Sequence, residues 1–261
     1  MIIAAIVMFS TGFILIAWLP SKLRKIKLMI GFILTVLAIP IATFFVSIPN
    51  TPQIFGIAIR CVQTDEKIVA LTYDDGPRSP TTEGVLDVLA KHQVNATFFL
   101  IGERAEKNPT LVRREYNAGH ELGNHTYTHP VLIFRTPSFV REQIEKTDKI
   151  IRDCGYDKEI FFRSPKGMKL LADSWTLKKM NRKNILFDTV AWDWDSPGVQ
   201  KIVDNVMKDV RPGSIILLHD GCGDEHDVVE ASDIIITRLK EQGYKFLTIS
   251  ELLKKDCSAK I

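Results

Sequence analysis

Residues 67–77 read KIVALTYDDGP, and this stretch decides the fold. Its first seven residues are apolar or β-branched apart from Lys67, and its last four form an acidic turn. A strand without polar alternation is buried on both faces, as in a parallel sheet covered by helices. Such a strand needs similar neighbours, and the flanking sequence supplies them. ATFFLI (96–101), IFFR (160–163), ILFDTVA (185–191), SIILLH (214–219) and KFLTI (245–249) are short, β-branched or aromatic, and bounded by turn residues. HELGNH (120–125) adds a further short strand after the Ala118-Gly119 turn. Helix-like stretches fall between them at 84–93, 109–118, 138–154, 172–182, 199–210 and 228–242. The clearest is 138–154, with Val140, Ile144, Ile151 and Cys154 on one stripe. The alternation predicts one α/β domain, either a closed or nearly closed barrel or an open doubly wound sheet. In both, chemistry collects at the C-terminal ends of the strands.

The 261 residues include 46% hydrophobic and 25% charged side chains, which excludes a disordered tail or a disulfide-dense miniprotein. Residues 1–49 hold Lys22, Arg24, Lys25 and Lys27 and no acid, so the formal charge of +3 arises entirely there. The rest is slightly acidic, and a nucleic-acid partner loses its main support. Residues 1–19 and 28–48 are almost wholly apolar, each long enough to cross a hydrocarbon core as a helix. SKLRKIK lies between them. Positive loops stay cytoplasmic, so the expectation is a two-span cell-membrane anchor over residues 1–50, with the bulk of the chain extracytoplasmic. A linker over 51–65 follows. A cleaved signal peptide fits less well, because residues 1–19 hold no basic residue. Cys61, Cys154, Cys222 and Cys257 show no CxxC spacing.

Polar residues cluster at the strand ends. TYDDGP (72–77) sets Asp74 and Asp75 side by side, and adjacent side chains on an extended backbone point apart, so the two acids can do different jobs. HTYTH (125–129) offers two imidazoles at i and i+4, which meet on one face if the segment is a helical turn. Two His and one carboxylate leave a metal with open positions, as a catalytic site needs. FRSPKG (162–167) supplies Arg163, a cation that can fix a carboxylate's orientation. VAWDWDS (190–196) adds Trp192, Asp193, Trp194 and Asp195, suited to a sugar-facing wall and a carboxylate that orients a histidine. LLHDG (217–221) ends a strand with His219, a candidate general acid. His120 reads as structural, and His92 and His226 as surface.

These five motifs, in this order, resemble the NodB-homology polysaccharide deacetylases of carbohydrate esterase family 4. The resemblance covers residues 66–255 and implies a distorted (β/α) barrel of the seven-stranded type. It implies that Asp75, His125 and His129 bind a divalent metal, usually zinc, although the ligand set also accepts cobalt or nickel. It makes Asp74 the base, Arg163 its partner and His219 the acid. Asp193 or Asp195 orients His219, with Asp193 preferred. Pro165, Lys166, Trp192, Trp194 and Leu217 fall along the substrate side. Two departures stand out: Lys166 occupies a position that is commonly Tyr in the family, and the WDWDSPG segment matches its motif imperfectly.

The expectation is therefore a metal-dependent N-deacetylase of a cell-envelope polysaccharide, with peptidoglycan N-acetylglucosamine as the leading substrate. Chitin-like or poly-N-acetylglucosamine glycans and O-acetyl xylan are the alternatives. A glycan-binding pseudoenzyme and a cytoplasmic metal-dependent phosphohydrolase are the competing classes.

Overall fold

The computed structural model describes residues 58–133, 135–167 and 171–256, together with six helical positions between 26 and 36. The chain divides into two compact units, Met1–Thr51 and Pro52–Ile261. The spans expected over 1–19 and 28–48 lie outside the described residues apart from those helical positions. Among the described residues no helix is long and apolar enough to cross a membrane.

The second unit is a parallel (β/α) half-barrel. Its strands are β1 (Ala58–Ile59), β2 (Ile68–Asp74), β3 (Thr97–Leu100), β4 (Glu121–Asn124), β5 (Phe161–Phe162), β6 (Asn184–Ile185), β7 (Thr189–Val190), β8 (Ile215–His219) and β9 (Lys245–Phe246). They hydrogen-bond in the order β1-β6-β5-β4-β3-β2-β8-β7, and β9 pairs with the start of β2. Every one of these pairings is parallel. The helices are α1 (Thr81–His92), α2 (Gly102–Lys107), α3 (Pro109–Asn117), α4 (Pro137–Asp153), α5 (Leu171–Lys179), α6 (Val199–Asp209), α7 (Glu225–Glu241) and α8 (Ile249–Leu253).

The two-residue side-chain period divides the core in two. Val69, Leu71 and Tyr73 of β2, Phe98 and Leu100 of β3, and Ile216 and Leu218 of β8 pack with the helices α1, α6 and α7. Ile68 and Ala70, Phe99, Phe161, Ile185, and Ile215 and Leu217 fill the concave side. Ile249 and Leu252 of α8 join this inner cluster. Space inside is tight. A side chain at Gly123 of β4 would stand 2.5 Å from the Phe99 ring, so only glycine fits beside it. Continuing the inner face of each strand to its C-terminal end leads from Ala70 to Thr72 and Asp74, from Gly123 to His125, from Phe161 to Arg163, and from Leu217 to His219. The side-chain alternation that divides the core thus also aims these polar side chains into one mouth.

Four local expectations change. The run at 185–191 splits into β6 and β7, because Arg163 takes the Ile185 and Leu186 carbonyls and the Asp188 carboxylate accepts from the Ile215 N–H. KFLTI stops as a strand at Phe246, since Thr248 and Glu251 form a capping box that starts α8. The stretch taken as linker contributes β1, paired with β6. His92 is not a surface residue: its side chain is half-buried and its Nε2 meets the Asp233 carboxylate. His120 is buried, and burial pushes its pKa down to about 4. Its Nδ1 accepts from the Ala96 N–H, which fixes a neutral ring against Phe98.

Candidate active site

Asp74 and Asp75 leave β2 in different ways. Asp74 is its last residue and lies opposite His219 of β8 in register. Asp75 has φ +72°, so the backbone turns instead of continuing the strand. Strand alternation would send the two carboxylates apart, but the left-handed turn brings Asp75 back to the mouth. Nε2 of His125 lies 3.6 Å from Asp74 Oδ2 and 3.5 Å from Asp75 Oδ1. Nε2 of His129 lies 3.4 Å from the same Asp75 oxygen.

HTYTH is not helical. His125 follows β4, and Thr126 and His129 both adopt positive φ, so a looped backbone sets the two rings 4.8 Å apart. The loop is held by Gln143 of α4, whose Oε1 accepts from the Tyr127 and Thr128 N–H groups. Nδ1 of His125 donates to the Arg163 carbonyl at 2.8 Å, which leaves the Nε2 lone pair facing the pocket. Burial first, and then His129, push the His125 pKa down to about 3 against the pull of Asp75, so the ring is neutral, as a metal ligand must be.

One donor atom each from Asp75, His125 and His129 lies within 4.8 Å of the other two. Oxygen and nitrogen ligands at about 2.0–2.2 Å from a tetrahedral zinc stand roughly 3.3–3.6 Å apart. The observed 3.4 and 3.5 Å agree. Asp75 Oδ1 is buried without a hydrogen-bond partner, a costly state that a cation would relieve. The three side chains fit a divalent cation.

Arg163 is fully buried and spends its donors at this mouth. Nη1 donates to Asp74 Oδ1 at 2.6 Å and to Thr72 Oγ1 at 2.8 Å, Nε to Ile185 O and Nη2 to Leu186 O. The guanidinium also lies over the Phe99 ring, 4.0 Å from its centroid. Asp74 is thereby pinned by one oxygen, and its other oxygen faces the pocket. Asp193 grips His219 twice: Oδ2 accepts from the His219 N–H and Oδ1 meets Nδ1 at 2.9 Å. Burial alone would lower the His219 pKa. The charge and hydrogen bond of Asp193, with Asp74 and Asp75 adding to them, outweigh burial and push it up to about 9. Asp195 is exposed and makes no such contact with His219.

Among the residues read as substrate-facing, Trp192 is 52% exposed with its ring tilted 48° to that of Trp194, and Trp194 and His219 meet nearly at right angles with centroids 5.1 Å apart. Lys166 is exposed on a left-handed turn between buried Pro165 and Gly167. Leu217 is buried on the inner face of β8.

Sequence reasoning missed several supports. Arg104 of α2 donates to the carbonyls of Asp75 and Gly221 and so ties the loop after β2 to the loop after β8. Asp220 accepts from Thr82 and packs against Gly76, where any side chain would collide with its carboxylate. Burial raises its pKa. The adjacency of Asp220 to His219 was a usable signal, whereas Arg104 looks like any cation on a polar helix. Cys222, three residues beyond His219, lies close to Asp75 and His219. Burial first, and then the charges of Asp75 and Asp193, hold it as a thiol.

A polysaccharide deacetylase family model matches residues 62–185. A peptidoglycan-N-acetylglucosamine deacetylase of Bacillus cereus is 39% identical over 198 residues, which covers 74% of this chain and 91% of that protein. Among solved structures, the Bc1960 peptidoglycan N-acetylglucosamine deacetylase superposes with a TM-score of 0.72 at 36% identity, covering 76% of this chain and 94% of the other. A family 4 acetyl xylan esterase from Clostridium thermocellum, in complex with a cobalt ion, gives a TM-score of 0.67 at 35% identity, covering 72% and 91%.

Proposed function

Because the chain belongs to the polysaccharide deacetylase family, we propose that it removes acetyl groups from the N-acetylglucosamine units of peptidoglycan at the mouth of the half-barrel. The observation that carries this reading is the convergence of Asp75, His125 and His129 on one cation-sized gap, flanked by Asp74 and His219. Peptidoglycan is favoured over other N-acetylated glycans by the two peptidoglycan-acting relatives.

A divalent cation, which we take to be zinc with cobalt or nickel as substitutes, supplies Lewis acidity to the acetyl carbonyl and acidifies the attacking water. The side chains of this protein do the rest. Asp74, held by Arg163, takes the water proton. The backbone N–H at Lys166 donates to the oxyanion of the tetrahedral intermediate. His219 enters the reaction protonated and gives its Nε2 proton to the departing amine, while Asp193 holds Nδ1 and keeps the ring aimed. Trp192 and Trp194 offer apolar faces to a sugar ring, and Lys166 adds a cation at the rim that suits an anionic glycan. Leu217 and Pro165 bound the acetyl end.

We further propose that residues 1–50 anchor the catalytic unit in the cell membrane and hold it on the outer side. Two apolar runs flank a basic segment, and Met29, Ile33, Leu34 and Val36 expose their apolar side chains on helical backbone.

Acetate release by the zinc-loaded full-length protein, compared across peptidoglycan, chitooligosaccharides and acetylated xylan, tests the substrate. The fastest release is expected from peptidoglycan. Release from xylan alone would move the reaction to O-acetyl esters. Glycan binding without acetate release under any cation would mark a binding protein.

A further inference from the structure

Three residues beyond His219 the loop into α7 carries Cys222, a side chain the deacetylase mechanism does not use. Its Sγ, a ring nitrogen of His219 and a carboxylate oxygen of Asp75 all lie within 4.8 Å of one another. Asp75 therefore belongs to two donor groups, one with His125 and His129 and one with His219 and Cys222. It is nine-tenths buried, and its Oδ1 is the oxygen that stands 3.5 and 3.4 Å from His125 and His129. A carboxylate has two oxygens and can serve a cation on each, at the roughly 3.5–4 Å separation of two-metal sites. Nδ1 of His219 is engaged by Asp193, so Nε2 is the nitrogen turned to this second position. Carboxylate, imidazole and thiolate together form a softer set than Asp/His/His, one that suits zinc and cadmium better than magnesium or calcium.

We propose that Asp75, His219 and Cys222 form a second, thiol-containing cation site, and that a soft divalent cation bound there inhibits the enzyme by occupying His219. Binding displaces the Sγ proton and the Nε2 proton to solvent, and no electrons are transferred. The Nε2 lone pair is then committed to the cation, and no proton remains on it for the leaving amine. The inhibitory consequence rests on the deacetylase reading, whereas the binding does not.

The test titrates the full-length protein, already holding one equivalent of zinc, with cadmium. Calorimetry counts the sites, and ultraviolet absorption follows thiolate-to-cadmium charge transfer. The Cys222→Ser and Cys222→Ala proteins serve as references, so that signals from the other cysteines subtract out. The expected result is a second equivalent in the wild type, a charge-transfer band that grows with it, and loss of both in the two variants. Excess zinc should then inhibit the wild type more strongly than either variant, each measured against its own one-zinc rate. Absence of a second equivalent in the wild type, or a band equally strong in the variants, overturns the site. If the one-zinc protein releases acetate while the band is absent, this inference fails alone. If the band appears in a protein that releases no acetate, the site stands and the deacetylase reading falls.

Discussion

Replacing Asp74 with Asn lowers the rate of acetate release by about 10²–10⁴-fold, the usual range for a lost acid–base group, and leaves cation binding intact. The geometry separates the two effects. Asp74 Oδ1 is pinned by Arg163 at 2.6 Å, and an amide oxygen keeps that hydrogen bond. The other oxygen faces the pocket, where the water must lose its proton, and an amide nitrogen there cannot accept one. Asp75, His125 and His129 remain as they were. Initial rates on peptidoglycan, with zinc stoichiometry and circular dichroism of the same preparation, check all three points. A D74N protein that works at the wild-type rate removes Asp74 as the base.

Replacing Arg163 with Met destabilises the fold by about 3–5 kcal/mol, the range for breaking a buried ion pair. In a chain of this size that lowers Tm by roughly 6–20 °C. Arg163 is wholly buried, and the side chain of Asp74 is 4% exposed, so the substitution leaves a carboxylate without its cation and almost without water. The Ile185 and Leu186 carbonyls lose their donor as well. Thermal denaturation of R163M beside the double variant with Asp74→Asn separates the causes. The double variant is expected to recover a measurable part of the loss, since a neutral amide tolerates the site better than an unpaired charge. Equal destabilisation of the two would assign the loss to the carbonyls and to packing on Phe99.

How much of this was readable in the sequence follows from where each feature's cause lies. The unbroken apolar runs of KIVALTYDD and SIILLH, each closed by polar residues, are a local pattern, and they were enough to place Asp74 and His219 at strand ends. Asp75 and His129 depend on positive φ, which nothing in DDGP or HTYTH dictates for those residues. Neighbouring helices hold it, through Arg104 of α2 on one side and Gln143 of α4 on the other. The histidine pair was thus found for a helical reason that does not hold, and it works through a loop. β1, α2 and α8 were missed because two to six residues carry no usable period. The choice of Asp193 over Asp195 needed coordinates: both are acids in one short segment, and only Asp193 is buried against His219. The role of Cys222 needed them for the same reason, since its partner Asp75 is far away in sequence.

The most direct measurement counts cations. The full-length protein, stripped by chelation and titrated with zinc up to one equivalent, should bind that equivalent tightly and regain acetate release in proportion. The His125→Ala and His129→Ala proteins should lose both together. A His125→Ala protein that takes up the first equivalent as tightly as wild type, or a stripped wild-type protein that still releases acetate at the full rate, would contradict the account.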